Sequence, residues 1–284
     1  MLACTALLAC STAGADSLCD RPARTGTLAR AVDESSGLAA SRRHDGVLWT
    51  HNDSGGEPEI FAVDTAGRLI GRVRVAGAEN TDWEDLALGP CPAGDCLYIA
   101  DTGDNRERRS EVVVYRVPEP EPGDTVTARA ERFVIRYPDG PIDVEALYVL
   151  PSGDLFLISK GRSAPVTVFR YPAPLRAGDT VVVEAVQPLT DAAVAIPDQV
   201  TGAAASPDGR WVAVRTYTSV QLYRVEPDNT LRAAADPPGI SLMALAEPQG
   251  EAVAIREDGT LFFTSEAGLA GIRGSIASMR CTLD

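Results

Sequence analysis

Short apolar runs, many of them β-branched, recur along this chain between clusters of Gly, Pro, Asp and Asn, and no long segment carries a helical period. The pattern predicts an all-β fold. Five of the runs align with one another: ESSGLAAS, DWEDLALG, DVEALYVL, QVTGAAAS and QGEAVAIR, led by Ser36, Glu84, Glu145, Thr201 and Glu251 at intervals of 48, 61, 56 and 50 residues. A repeat of that size is the mark of a propeller. Each of the first four intervals holds four strand-like runs, as in SGLAAS, VLWTHND, EIFAVD and LIGRVRVAG; the third ends in TVVVEAV and the fourth in ISLMALA. The fifth supplies only EAVAIRE, LFFTSEAG and GSIASMRC, so its fourth strand must come from elsewhere. The stretch Gly26 to Val32 (GTLARAV) is the expected donor, giving a five-bladed β-propeller closed by an N-terminal strand in the last blade. Closure removes the sheet edges that invite aggregation. The alternative, a six-bladed propeller, needs a degenerate copy, and the 61-residue interval is too short for two blades.

With 284 residues and 45% hydrophobic content the chain can bury a sizeable core, and the repeat assigns residues 19–284 to one propeller domain behind a leader at 1–18. Of six cysteines, Cys4 and Cys10 lie in that leader, Cys91 and Cys96 flank a PAGD turn, and Cys19 and Cys281 are placed to pair across the closing blade. The leader MLACTALLACSTAGADS has no Lys or Arg before its short apolar core, so as written it is a weak signal peptide, and it is far too short to span a bilayer. Leu7-Leu8-Ala9-Cys10 resembles a bacterial lipoprotein box, which would put a lipid on Cys10 as the membrane attachment; cleavage after Ala15 with free secretion is the alternative. Either route leads outside the cytoplasm, where disulfides form.

The net charge of −14 argues against a nucleic-acid partner, which would require a basic face. Part of the acid has a more specific reading. The five lead residues start the innermost strands and should face the central channel at one depth. Carboxylates about 5 Å apart repel by roughly 3 kcal/mol per pair at an effective dielectric near 20, so Glu84, Glu145 and Glu251 call for protons or a cation. An all-oxygen set of Ser36, Glu84, Glu145, Thr201 and Glu251 suits calcium better than magnesium, and zinc is disfavoured because His44 and His51 are the only histidines. The alternative is a water-filled channel with solvated Glu side chains.

The second strand of each blade should return to the face where the first begins. Its ends carry His51, Asn52 and Asp53; Asp101, Asp104 and Asn105 with Arg106, Arg108 and Arg109; Lys160 and Arg162; Arg215 and Tyr217; and Ser265 and Glu266. Acids beside cations around a calcium would suit an anionic small molecule or surface partner, with Lys160, Arg162 and Arg215 neutralising it. Asp53, Asp101 and His51 are the candidate catalytic groups. Turn-forming Asp, Asn and Gly are equally ordinary in loops without activity. No GxSxG, GxxxxGK or HExxH occurs, and the calcium-loop-like DTGDN at 101–105 lacks its twelfth-position acid. Asp45-Gly46, Asp208-Gly209 and Asp258-Gly259 read as hairpin turns on the opposite face, and Trp83 and Trp211 as packing between blades.

Five inner strands led by Ser, Glu, Glu, a hydroxyl residue and Glu resemble the calcium-activated nucleotidase (apyrase) family. That resemblance implies a central calcium held by Ser36, Glu84, Glu145, Thr201 and Glu251, with Thr201 in place of the family's Ser. The stretches HNDSGG, DWEDLALGP, YIADTGDNRERR, SPDGRWVAVRTYT and EPQGEA are similar to a group of secreted bacterial propellers with no assigned reaction, over nearly the whole chain from Ser36 to about Gly259. Two functions follow as expectations: an extracytoplasmic calcium-binding propeller, monomeric, that holds an anionic small molecule, glycan or protein on its polar face, or a calcium-dependent phosphohydrolase of the nucleotidase or phytase kind.

Overall fold

The computed structural model describes residues 18–234 and 239–283; the leader, with Cys4 and Cys10, lies outside them except for Leu18. Five sheets, antiparallel apart from one strand added to blade two, form a closed ring. Their innermost strands, Ser35–Ala40, Trp83–Cys91, Val144–Val149, Val200–Ala205 and Gln249–Ile255, neighbour one another around the axis. Each of the five interfaces between adjacent blades holds its own apolar cluster. Trp83 is buried between blades one and two and Trp211 between blades four and five, as their sequence context predicts.

The inner strands share one irregularity. Pairing with the second strand slips between Ser35 and Leu38, Trp83 and Asp85, Val144 and Ala146, Val200 and Gly202, and Gly250 and Ala252. Every slip contains a lead residue: Ser36, Glu84, Glu145, Thr201 and Glu251. A bulge inserts one residue and breaks the two-residue alternation. Hence Trp83 shares its cluster with Leu86, Val144 with Leu147 and Val200 with Ala203, spacings of three instead of two. Apolar residues on both sides of the bulge thereby keep to one interface while the inserted residue is left out of both.

Ring closure uses an N-terminal strand, but an earlier one than the apolar pattern suggests. Ala23–Thr27 pairs antiparallel with Ser275–Arg280, completing the last blade. Leu28 and Val32, expected in that strand, instead fill the interface between blades five and one, where both are fully buried. An outer strand must tolerate solvent, which ARTGT does and LARAV does not. Two other runs also divide. TVVVEAV splits at buried Val183: Thr180–Val182 joins blade two, parallel to Glu131–Arg136, while Glu184–Pro188 completes blade three. In ISLMALA only Ile240–Ser241 pairs with the third strand of blade four, which Leu231–Ala233 also borders, and Met243–Leu245 is a short 3-10 helix.

Strand direction defines two faces. Inner strands begin on the face that carries the lead residues, and the Asp-Gly turns lie on the other, with Gly46, Gly209 and Gly259 at positive φ. Both disulfides, Cys19–Cys281 and Cys91–Cys96, also lie on the turn face. The chain therefore enters the propeller at Cys19 on the side away from the lead residues.

The axis is not an open tunnel. Asp85, next to the bulge of blade two, reaches across it: Oδ1 accepts the Leu86 amide at 2.8 Å, while Oδ2 accepts the amides of Leu147 at 2.8 Å and Ala203 at 3.0 Å. One buried carboxylate thus joins the inner strands of three blades. Beyond it the channel is narrow and lined by small apolar residues, among them Ala39, Ala87, Ala204 and Ala254.

Replacing Asp85 with Ala would leave three buried amides without acceptors, and unfolding stability should fall by about 3 kcal/mol or more in denaturant titration. The Cys19–Cys281 link closes a loop spanning 262 residues and that of Cys91–Cys96 spans 5, so paired Ser substitutions should cost up to about 5 kcal/mol at the first and about 2 kcal/mol at the second.

Candidate metal centre

A polar cavity of about 180 Å3 opens on the lead-residue face, bordered by Ser36, Asp53, Glu84, Asn105, Glu145, Lys160, Arg162, Tyr217, Gln249, Glu251 and Glu266. Four of the five lead residues border it. Thr201 does not, and its hydroxyl donates to the Glu251 carbonyl at 2.8 Å. Ser36 makes the equivalent bond to the Glu84 carbonyl at 2.7 Å. Both hydroxyl leads therefore tie their blade to the backbone of the next, while the three Glu carboxyls are left to the cavity.

Two residues that the sequence reading passed over complete the acid cluster. Oxygens of Asp53, Asp82 and Glu84 lie within 4.8 Å of one another, and so do oxygens of Glu84, Asp143 and Glu145. The signal for Asp82 and Asp143 was present in the repeat. Two positions before the lead, the five blades carry Glu34, Asp82, Asp143, Gln199 and Gln249, an acid or amide each time. Asp82 and Asp143 stand just before their inner strands begin, at the cavity end of the axis, so a reading confined to the strand runs passes them over.

The loop after the second strand of blade two shapes this cluster. Gly103 lies so close that a Cβ there would sit 1.9 Å from Glu84 Oε1 and 2.6 Å from Asp82 Oδ2. Only glycine permits that approach. Asp101 and Asp104 hold the loop in place and do not border the cavity. Asp101 Oδ1 accepts from Arg109 at 2.7 Å and from the Asp82 amide at 3.2 Å; Asp104 Oδ2 accepts from the amides of Arg108 and Arg109. The Asp104 amide in turn donates to Asp143 Oδ1 at 2.8 Å. Asn105 reaches the rim, where its carbonyl accepts from Arg162 at 2.8 Å.

The cations predicted to meet an anion are differently placed. Lys160 is buried, with Nζ 2.7 Å from Glu145 Oε1 and 3.8 Å from Asp143 Oδ2. Arg162 stays partly exposed at the rim, 3.3 Å from Asp143 Oδ2. Arg215 has no exposure at all: its guanidinium donates to the carbonyls of Ala252 at 2.7 Å and Thr264 at 3.0 Å, pairs with Glu247 and lies over the Phe263 ring. It joins blades four and five and does not border the cavity. His51 is likewise fully buried, edge-on to Trp83, with Nδ1 at 3.0 Å from the Asn52 carbonyl and Nε2 without a hydrogen bond. Burial pushes its pKa down to about 4. The Asn52 side chain turns toward residues 31–34, donating to the Ala31 carbonyl at 3.0 Å, and is also outside the cavity. Tyr217 does border it, with burial pushing its phenol up to about 12.

Electrostatically the cavity has a surplus of acid. Burial, reinforced by neighbouring carboxylates, lifts Glu84 and Glu251 well above the ordinary range, Asp53 to about 6 and Glu266 to about 7. Glu145 rises to about 8, chiefly through burial, although Lys160 pulls it down. The donors are all hard oxygens, and Asp53 Oδ1 and Asp143 Oδ2 are buried without a hydrogen bond. Such a set fits a hard divalent cation.

No protein-family model matches the chain, and no curated protein does. Solved structures share its architecture. The PQQ-bound aldose sugar dehydrogenase of Streptomyces coelicolor aligns with a TM-score of 0.55 at 14% identity, covering 92% of this chain and 98% of the other. The soluble aldose sugar dehydrogenase of Escherichia coli, in its apo form, aligns with a TM-score of 0.53 at 10% identity, covering 92% and 99%. At such identities the likeness speaks to the propeller fold alone, and the nucleotidase resemblance gains no support from it.

Arg215→Ala would strand Glu247 in the interior, so it should lower stability by about 3 to 5 kcal/mol in chemical unfolding, instead of acting on a ligand as its sequence position suggests.

Proposed function

We propose that the protein is a calcium-binding propeller of an oxidising, extracytoplasmic compartment, and that the cation sits among the carboxylates around Glu84. The observation that carries this reading is the meeting of Asp53, Asp82 and Glu84 oxygens against Gly103, in a cavity whose acids outnumber its cations. Bound calcium would supply a fixed positive charge and would favour the ionised form of every carboxyl around it. It would also make the mouth of the cavity receptive to an anionic group, with Arg162 the cation left accessible at the rim. The ligand classes in keeping with this are an anionic small molecule, a glycan or a protein surface.

A hydrolytic reading has one supporting observation. Asp53 borders the cavity with an unpartnered Oδ1 and a pKa raised to about 6, as a general base acting near neutral pH would have. Calcium-dependent phosphate release from nucleotides or phytate, abolished by chelator, would establish the enzyme; no release above background would leave the binding function.

The cation itself is tested by calorimetric calcium titration of chelator-stripped protein. Binding that is at least about tenfold weaker in Glu84→Gln is the expected result, and absence of binding in the wild type would overturn the proposal. Gly103→Ala should weaken calcium binding as severely, because its methyl group would occupy the space of Glu84 Oε1.

pH provides a separate check. Glu145 and Glu266, raised to about 8 and about 7, hold protons more tightly folded than unfolded, so their contribution to stability falls as pH rises from the ordinary carboxyl range through those values. His51 acts with the opposite sign: lowered to about 4, it reduces stability as pH falls below its ordinary 6.5, but above that value it is neutral in both states. Between about pH 6.5 and 8 the melting temperature in chelator should therefore decline, and saturating calcium should suppress the decline.

A further inference from the structure

We propose that the Lys160 ammonium is the resident cation of one carboxylate triad, so that Lys160 limits this centre to a single divalent ion held by Asp53, Asp82 and Glu84. The inference rests on the cation-binding reading above and deepens it. Glu84 belongs to both triads, an arrangement that on its own would suit two metals bridged by one carboxylate. The surroundings of the two triads differ. In that of Glu84, Asp143 and Glu145, Lys160 Nζ lies 2.7 Å from Glu145 Oε1 and 3.8 Å from Asp143 Oδ2. Asp143 Oδ2 is buried and accepts no hydrogen bond, so its neighbours are the charges of Lys160 and of Arg162 at 3.3 Å. Lys160 has little freedom to leave. Its side chain is 7% exposed, its amide donates to the Asp143 carbonyl at 2.9 Å and its carbonyl accepts the Val200 amide at 3.1 Å.

The triad of Asp53, Asp82 and Glu84 has no such occupant. Among the described residues no ion pair reaches any of these three carboxylates, Asp53 Oδ1 is buried without a hydrogen bond, and Gly103 leaves its own Cβ position to Glu84 and Asp82 oxygens. A second divalent ion would have to enter beside a fixed ammonium within a few ångströms, where like charges repel strongly. Lys160 therefore acts as a built-in monovalent substitute for one metal.

The experiment is calcium titration by calorimetry on chelator-stripped full-length protein. Wild type and Lys160→Arg should bind one ion per chain, and Lys160→Met, which keeps the stem and removes the charge, should bind two. If wild type binds two, or if wild type and Lys160→Met both bind one, the inference is overturned while the calcium reading survives. No binding in wild type, whatever Lys160→Met binds, overturns both. Should Lys160→Met fail to fold, two wild-type-background variants decide. Asp82→Asn should weaken calcium at least about tenfold and Asp143→Asn by less than about threefold. Equal losses in the two would overturn the assignment.

Discussion

The molecule depends on a single constraint repeated five times: each innermost strand carries a bulge at the same place, near its start. Without the inserted residue, strict alternation would send every inner-strand side chain into one of the two flanking interfaces. With it, apolar residues on both sides of the bulge keep feeding the same interface, as Val144 and Leu147 do, and the bulged residue projects toward the axis instead. The ring of lead residues is therefore a product of packing as much as of chemistry. Two of the five, Ser36 and Thr201, spend their hydroxyls on the next blade's backbone, which stitches blade one to blade two and blade four to blade five.

Asp85 and the acid cavity show how differently one environment treats neighbouring carboxylates. Asp85 is wholly buried, and burial raises its pKa, but three backbone amides oppose that rise and satisfy its oxygens. Glu84, one residue earlier, has no comparable donors and meets other acids. The first closes the axis; the second stands above the closure, in a cavity where solvent is limited and charge is uncompensated. Closure beneath the site matters for function because it makes the cavity a blind pocket, reachable from one face only.

The two faces divide the labour. Turns, disulfides and the entry of the chain occupy one, and the cavity with its shaping loops occupies the other. Arg109, Asp101 and Asp104 lock the loop that carries Gly103, so the position of the Asp82 and Glu84 carboxylates is set by backbone and not by mobile side chains. An acid cavity built this way is pre-organised at the cost of strong mutual repulsion, relieved on one side by Lys160.

Much of this was legible from sequence. The repeat interval and apolar alternation determined five blades, their order, closure by the N-terminus and both disulfides, because each depends on residue type at fixed spacing. Glu84, Glu145 and Glu251 were likewise identifiable as axis-facing from their alignment alone. Tertiary structure decided the rest. The closing strand was placed too late because LARAV reads as a strand, and only the interface between blades five and one shows where such an apolar run is needed. Arg215, His51 and Asp101 sit at strand ends that point toward the functional face, yet each is drawn inward by a partner from another blade or loop: Glu247 for Arg215, Trp83 for His51, Arg109 for Asp101. Asp82 and Asp143 were hidden for the converse reason. They precede the lead residues by two in a repeated pattern, but each stands just outside its inner strand, and the meetings that build the cluster, of Asp53 with Asp82 and of Asp143 with Glu84, are made between blades, which no local spacing encodes.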